Sequence, residues 1–183
     1  MSTKQGDSRN KIDIKRLTLY AVTVSICLII GYIESVLSIG FIAIAPGVKI
    51  GLSNAVALIF ICSGDIKGAW TINIARICLS ALLFGSPISF MLSLFGGVAS
   101  TAMSCILKRF KNLSTIGISI AGGVTHNIFQ LLAATIIVGF GVVYYLPLLL
   151  LLGAVCGALC GVLAQLMLKY VKIFNFQTFE RKR

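Results

Sequence analysis

Between residues 146 and 171 a single charged side chain, Lys169, interrupts an otherwise apolar run, and comparable runs fill residues 17–39, 69–84, 88–107 and 116–139. An α-helix needs about 20 such residues to cross the ~30 Å hydrocarbon core of a bilayer, and nothing else in the chain constrains its fold as strongly. A sixth run, residues 50–62, is only about a dozen residues long, so it is expected to continue into an irregular or tilted element. The fold expected is all-α, a polytopic membrane protein built as a six-helix transmembrane bundle. A mean hydropathy of +1.01, with 58% hydrophobic and 11% charged residues, excludes an ordinary soluble domain of 183 residues.

Lys and Arg number 16 against 5 Asp and Glu, a balance that in a soluble chain would suggest nucleic acid. Here the charges gather at the ends of the apolar runs, where they set topology and meet anionic headgroups, so no nucleic acid partner is expected. With the N-terminus placed in the cytoplasm, the inside segments hold every Lys and Arg except Lys49 and Arg76. The expectation is a multi-pass protein of the cell membrane with both termini cytoplasmic. Residues 1–16 and 172–183 are basic tails flanking one transmembrane domain, residues 17–171, and the first ten residues are read as disordered. The first apolar run is too long for a signal peptide and lacks a small-residue cleavage site, so it is read as retained. Cys27, Cys62, Cys78, Cys105, Cys156 and Cys160 all fall inside apolar runs with no CxxC pair. They read as small buried hydrophobes rather than metal ligands or disulfides, and no metal or cofactor is expected.

The runs are broken most sharply by Glu34 and then by Pro46-Gly47-Val48-Lys49-Ile50-Gly51-Leu52-Ser53-Asn54. Backbone freed by Pro46 and Gly47 must find partners in protein or in a watery cavity, and an ionisable group at membrane depth is by default a functional-site hypothesis. The segment is therefore read as one wall of a polar pocket at the outer face. Glu34 lies about 25 Å along the first helix from Leu17, a depth matching that of Lys49, so the two can form an ion pair or share a ligand. Gly47 and Gly51, four apart, admit a close backbone or ligand, and Asn54 is placed to bridge freed backbone groups.

Two further polar faces accompany this break. Asn73, Arg76 and Ser80 recur at i, i+3 and i+7 on the third run, and Arg76 either faces the bundle interior or snorkels toward the cytoplasm. His126, Asn127 and Gln130 share a face of the fifth run, either lining a pocket or bonding between helices. Gly153, Gly157 and Gly161 form a small-residue ladder read as helix packing, as do Gly96, Gly97 and Ser100. The chain contains no phosphate loop ending in Gly-Lys-Ser/Thr, so it cannot power ATP-driven transport alone. Its carboxylates, at positions 7, 13, 34, 65 and 180, are too dispersed for the Mg²⁺ clusters of diphosphate chemistry. Catalysis by this chain is not expected.

Glu34, the Pro46-to-Asn54 stretch, the Asn73/Arg76 helix and Gly122-Gly123 to Asn127 together resemble the heptaprenyl diphosphate synthase component I family, also called the Gx transporter family, over about residues 14–172. That family is similar to the substrate-binding S components of energy-coupling factor transporters. The resemblance implies a six-helix subunit that captures a small molecule near the outer face and borrows a transmembrane coupling subunit and ATPase subunits. The synthase name implies instead an accessory role beside a soluble prenyl-transferring subunit.

The leading expectation is a membrane-embedded substrate-binding subunit of an ATP-driven uptake transporter for a small anionic or vitamin-like molecule. Its site residues would be Glu34, Pro46, Gly47, Lys49, Gly51, Asn54, Asn73, Arg76, His126, Asn127 and Gln130. The alternative is a non-catalytic accessory subunit of heptaprenyl or polyprenyl diphosphate synthase in isoprenoid quinone biosynthesis. A third is a membrane scaffold whose polar residues satisfy one another.

Overall fold

The computed structural model describes the backbone of residues 3–39, 52–110 and 112–180, with side chains over residues 14–36, 54–110 and 112–170. Pro46, Gly47, Lys49 and Gly51 lie outside the described residues. Six α-helices follow one another: α1 (Thr3–Ile39), α2 (Leu52–Cys62), α3 (Ile66–Phe84), α4 (Pro87–Leu107), α5 (Thr115–Val138) and α6 (Leu146–Glu180). A short 3-10 helix, Phe140–Tyr145, joins the last two. There is no strand among the described residues.

Local chemistry sets the boundaries. Asp65 caps α3 by accepting from the Gly68 N–H at 3.0 Å, and its other oxygen accepts from the Tyr20 hydroxyl of α1 at 2.5 Å. The Tyr20 bond, the Gly68 bond and the nearby Arg16 charge hold the Asp65 carboxyl below the usual carboxylate range. The turn before it passes through Gly64 at φ 91°, left-handed backbone that favours glycine. Ser86 caps α4 with Pro87 in its first turn, and Ser114 caps α5 through the Gly117 N–H. These are the turn signals that the sequence carries at Gly85-Ser86-Pro87 and around residue 114.

Five helices, over Ile14–Val36, Ile66–Phe84, Pro87–Leu107, Thr115–Val138 and Phe140–Tyr170, are long and apolar enough to cross a membrane. Their outer faces carry large apolar side chains, with Leu82, Ile136, Phe140 and Tyr144 more than four-fifths exposed. The chain is a polytopic helical membrane bundle. At 11 residues α2 is only ~16 Å long, short of the bilayer thickness. It is nevertheless the hub, because α1, α3, α4, α5 and α6 form an arc in which each packs on the next while α2 touches all five. Burial of Ala55, Ala57, Leu58 and Ile61 follows from that central place.

One expectation is corrected. The first ten residues are not disordered over their whole length: α1 already begins at Thr3, extending a formed helix by residues that include no proline. At the other end α6 runs on to Glu180, so the helix continues into the basic C-terminal segment. Adding a residue to an existing helix fixes one residue for one hydrogen bond, which is why a membrane span extends cheaply into polar sequence.

The α5–α6 contact is made at the glycine ladder. A Cβ on Gly157 would lie 2.8 Å from the Ile120 Cα, one on Gly161 2.8 Å from the Ile116 Cα, and one on Gly153 3.0 Å from the Gly123 carbonyl oxygen. These are backbone atoms that cannot swing aside, so only glycine permits this approach. Of the cysteines, Cys27 and Cys160 are buried, Cys62, Cys105 and Cys156 are half-buried, and Cys78 is exposed on the outer surface of α3. None of the six, all of them described, is in a disulfide.

Candidate functional site

Helix α3 brings Asn73 and Arg76 to the contact with α2 and α4. One guanidinium nitrogen of Arg76, Nη2, donates to Asn54 Oδ1 of α2 at 2.9 Å and to Asn73 Oδ1 at 2.7 Å. Asn73, 1% exposed, uses its Nδ2 to reach the Gly97 carbonyl at 3.1 Å and Thr101 Oγ1 at 2.9 Å on α4. Arg76 therefore faces the bundle interior rather than snorkelling to the surface. Bonds from a charged donor contribute about 1.5–3 kcal/mol each, and the removal of one partner strands the others.

The same network reaches α5. With Asn54 Oδ1 engaged by Arg76, the Nδ2 of that amide turns to His126 Nδ1 at 3.4 Å, so Nδ1 is the acceptor and the imidazole proton sits on Nε2. The ring fits because α4 carries no side chain at Gly96, where a Cβ would come 2.9 Å from His126 Cε1. Gly97 leaves room for Ile77 and Asn73 in the same way.

Around this network lies a cavity lined by Gly31, Glu34 and Ser35 of α1, Asn54, Arg76 and Ser80, together with Phe84, Ser93 and His126. It contains about 470 Å³ of space between atoms, its open mouth included. Glu34 is 4% exposed, and its carboxylate acts electrostatically on Arg76. A cation, a carboxylate, amides, an imidazole and hydroxyls thus converge within an otherwise apolar bundle. Such a wall can receive an anionic group at Arg76 and a hydrogen-bond donor at Glu34.

Of the residues singled out in the sequence, Glu34, Asn54, Asn73, Arg76 and His126 come together here. The expected partner of Glu34, Lys49, lies outside the described residues, as do Pro46, Gly47 and Gly51. Asn127 and Gln130 sit elsewhere. The Asn127 Nδ2 donates to the Leu149 carbonyl at 2.6 Å and so ties α5 to α6. Gln130, 6% exposed, lines a separate cleft with Leu92, Leu131 and Tyr145. Sequence reasoning missed Ser35, Ser93 and Thr101. Ser93 extends the Gly96, Gly97, Ser100 spacing by one turn, and that longer polar stripe was the available signal. Among the described residues no three His, Cys, Asp or Glu side chains come together as a metal site.

No curated protein and no solved structure matches the chain, so the likeness to transporter S components has no solved fold behind it. A protein-family model does match, over residues 23–167, which takes in α2, α3, α4 and α5 whole, with every described residue of the polar network. On that match the chain belongs to the heptaprenyl diphosphate synthase component I family.

Proposed function

We propose that this chain is the membrane-embedded, non-catalytic subunit of a heptaprenyl diphosphate synthase, and that a soluble partner subunit carries the prenyl transfer. The family membership is the observation that carries this reading. It is supported by the dispersal of the carboxylates along the sequence, which leaves the Mg²⁺-dependent chemistry to another chain. In this role the bundle anchors the partner at the cytoplasmic face, where its basic segments gather, with both termini on that side. Arg76, Asn54, His126 and Glu34 bind the polar head of a small or prenylated ligand, and Lys49 is a further cation for its anionic group. Isolation of the tagged chain from its native membranes tests the proposal. A soluble subunit bearing Asp-rich motifs should accompany it, and long-chain prenyl diphosphate should form only when both chains are present.

A second reading, capture of a small anionic or vitamin-like solute for ATP-driven uptake, is favoured by one observation. A carboxylate, a guanidinium, an amide and an imidazole converge on the Glu34 cavity inside the bundle, which anchoring alone does not require. In that case the isolated complex contains ATPase and transmembrane coupling subunits, and the purified protein retains a small molecule that Arg76→Leu releases.

A further inference from the structure

The polar stripe of α4 does not end at the Glu34 cavity. Ser100 and Ser104 line a second cavity with Ser119 of α5 and with Cys156 and Cys160 of α6, and this serine cavity contains about 440 Å³ of space between atoms, mouth included. Ser100, Ser104 and Ser119 are 7%, 5% and 8% exposed. Other helix serines bond back to a carbonyl one turn earlier, as Ser25, Ser35 and Ser80 do. For these three hydroxyls no such bond, and no other, is found among the described residues. Ser104 and Ser100 aim across Gly122, where a Cβ would come 2.8 Å from the first hydroxyl oxygen and 3.3 Å from the second.

A hydroxyl left without a partner when dry costs about 1–3 kcal/mol, and ordered water, which can reach the surface these three oxygens keep in the cavity, is the usual remedy. Three of them around one cavity make a dry cavity unfavourable. Asn54 and His126 are the residues common to the walls of both cavities, and the bond between them, at 3.4 Å, is longer than the Arg76 bonds beside it. From Ser93 to Ser104 the polar stripe covers ~16 Å, about half the hydrocarbon thickness.

We propose that the serine cavity is a hydrated site with room for about three waters, and that the Asn54–His126 pair is the partition separating it from the Glu34 cavity. Its guest is water or a neutral hydrogen-bonding solute of similar size, because hydroxyls offer donors and acceptors but no charge. The two cavities together form a polar seam through the bundle, closed at one weak side-chain contact. This holds whichever partner complex the chain serves.

Hydroxyl-radical footprinting of the full chain in lipid nanodiscs tests the hydration, because the radicals form from water where it resides. Cys156 and Cys160 should oxidise severalfold faster than Cys78, although Cys78 is the more exposed on the helix surface, where lipid surrounds it. Oxidation of Cys78 at an equal or greater rate overturns the proposal. In the triple variant S100A/S104A/S119A, with folding checked by thermal melting, Cys156 oxidation should fall to the Cys78 level. A rate unchanged from wild type means that these serines hold no water. The partition has its own readout. Hydrogen peroxide, uncharged and little larger than water, should oxidise Cys156 severalfold faster in His126→Ala than in the wild type, with Cys78 as the internal reference. Equal Cys156 rates in the two proteins overturn the assignment of the partition.

Discussion

The two sides of the bundle are held together by opposite means. Where α5 meets α6, backbone lies against backbone, and the hypothetical Cβ atoms of Gly157 and Gly161 would strike main-chain atoms of the facing helix. Where α3 meets α2 and α4, the space is filled instead by a guanidinium, two asparagine amides and an imidazole, joined by directional bonds. A backbone seam has no alternative partner, so it is rigid and intolerant of any added atom. A hydrogen-bonded network can exchange one of its members for a ligand group or a water at little net cost. The cavities accordingly flank the second kind of contact, and the first serves as the wall against which it works.

The comparison is broken most severely at the glycine ladder. Gly157→Leu should destabilise the protein by about 3 kcal/mol, the upper end for overpacking, measured as loss of folded fraction in detergent or a lowered melting temperature. Retention of wild-type melting would mean that the seam adjusts freely. A smaller effect is expected on the polar side, where Arg76→Leu should cost about 2 kcal/mol, because Asn54 and Asn73 each lose a charged donor. That variant should also abolish ligand retention by the Glu34 cavity, whereas Gly157→Leu protein that remains folded should keep some.

Asn73→Ala should cost somewhat less, about 1–2 kcal/mol, through its lost bonds to the Gly97 carbonyl and Thr101, with ligand retention weakened rather than removed. Smaller still is the acid response of the Asp65 cap. Its carboxyl is held below the usual range when folded, so its stabilising contribution is complete above the unfolded value of about 3.9. That contribution is lost as pH falls through the lower folded value. Asp65→Asn should therefore flatten the fall in melting temperature on the acid side, and a slope identical to wild type would remove the cap from the account. Gly141→Ala provides the contrast, with no atom within 4 Å of the added Cβ and an expected change within about 0.5 kcal/mol.

Much of this was legible in the chain. The apolar lengths announce the membrane helices, and the 3.6-residue period places Asn73, Arg76 and Ser80 on one face and Gly153, Gly157 and Gly161 on another. The coming together of Arg76, Asn54 and His126 was only partly legible. Each could be named as polar at membrane depth, yet which of them touch depends on helix order around the arc. Asn127 and Gln130 show the gap, since both lie on the face of His126 by spacing but bond or line elsewhere. The central place of α2 was not legible at all, because an 11-residue apolar run looks the same whether it is a hub or an edge.

The sequence by itself determined that the chain is a helical membrane bundle and which side chains on each helix are polar, because both depend on one helix at a time and on the cost of placing a peptide group in hydrocarbon. Only the tertiary structure decided that Arg76 would hold two asparagines from two helices, that His126 would lie over Gly96, and that three serines would surround one hollow. Those outcomes come from helix-to-helix distances, fixed by packing between residues far apart in the chain, and no local period contains them.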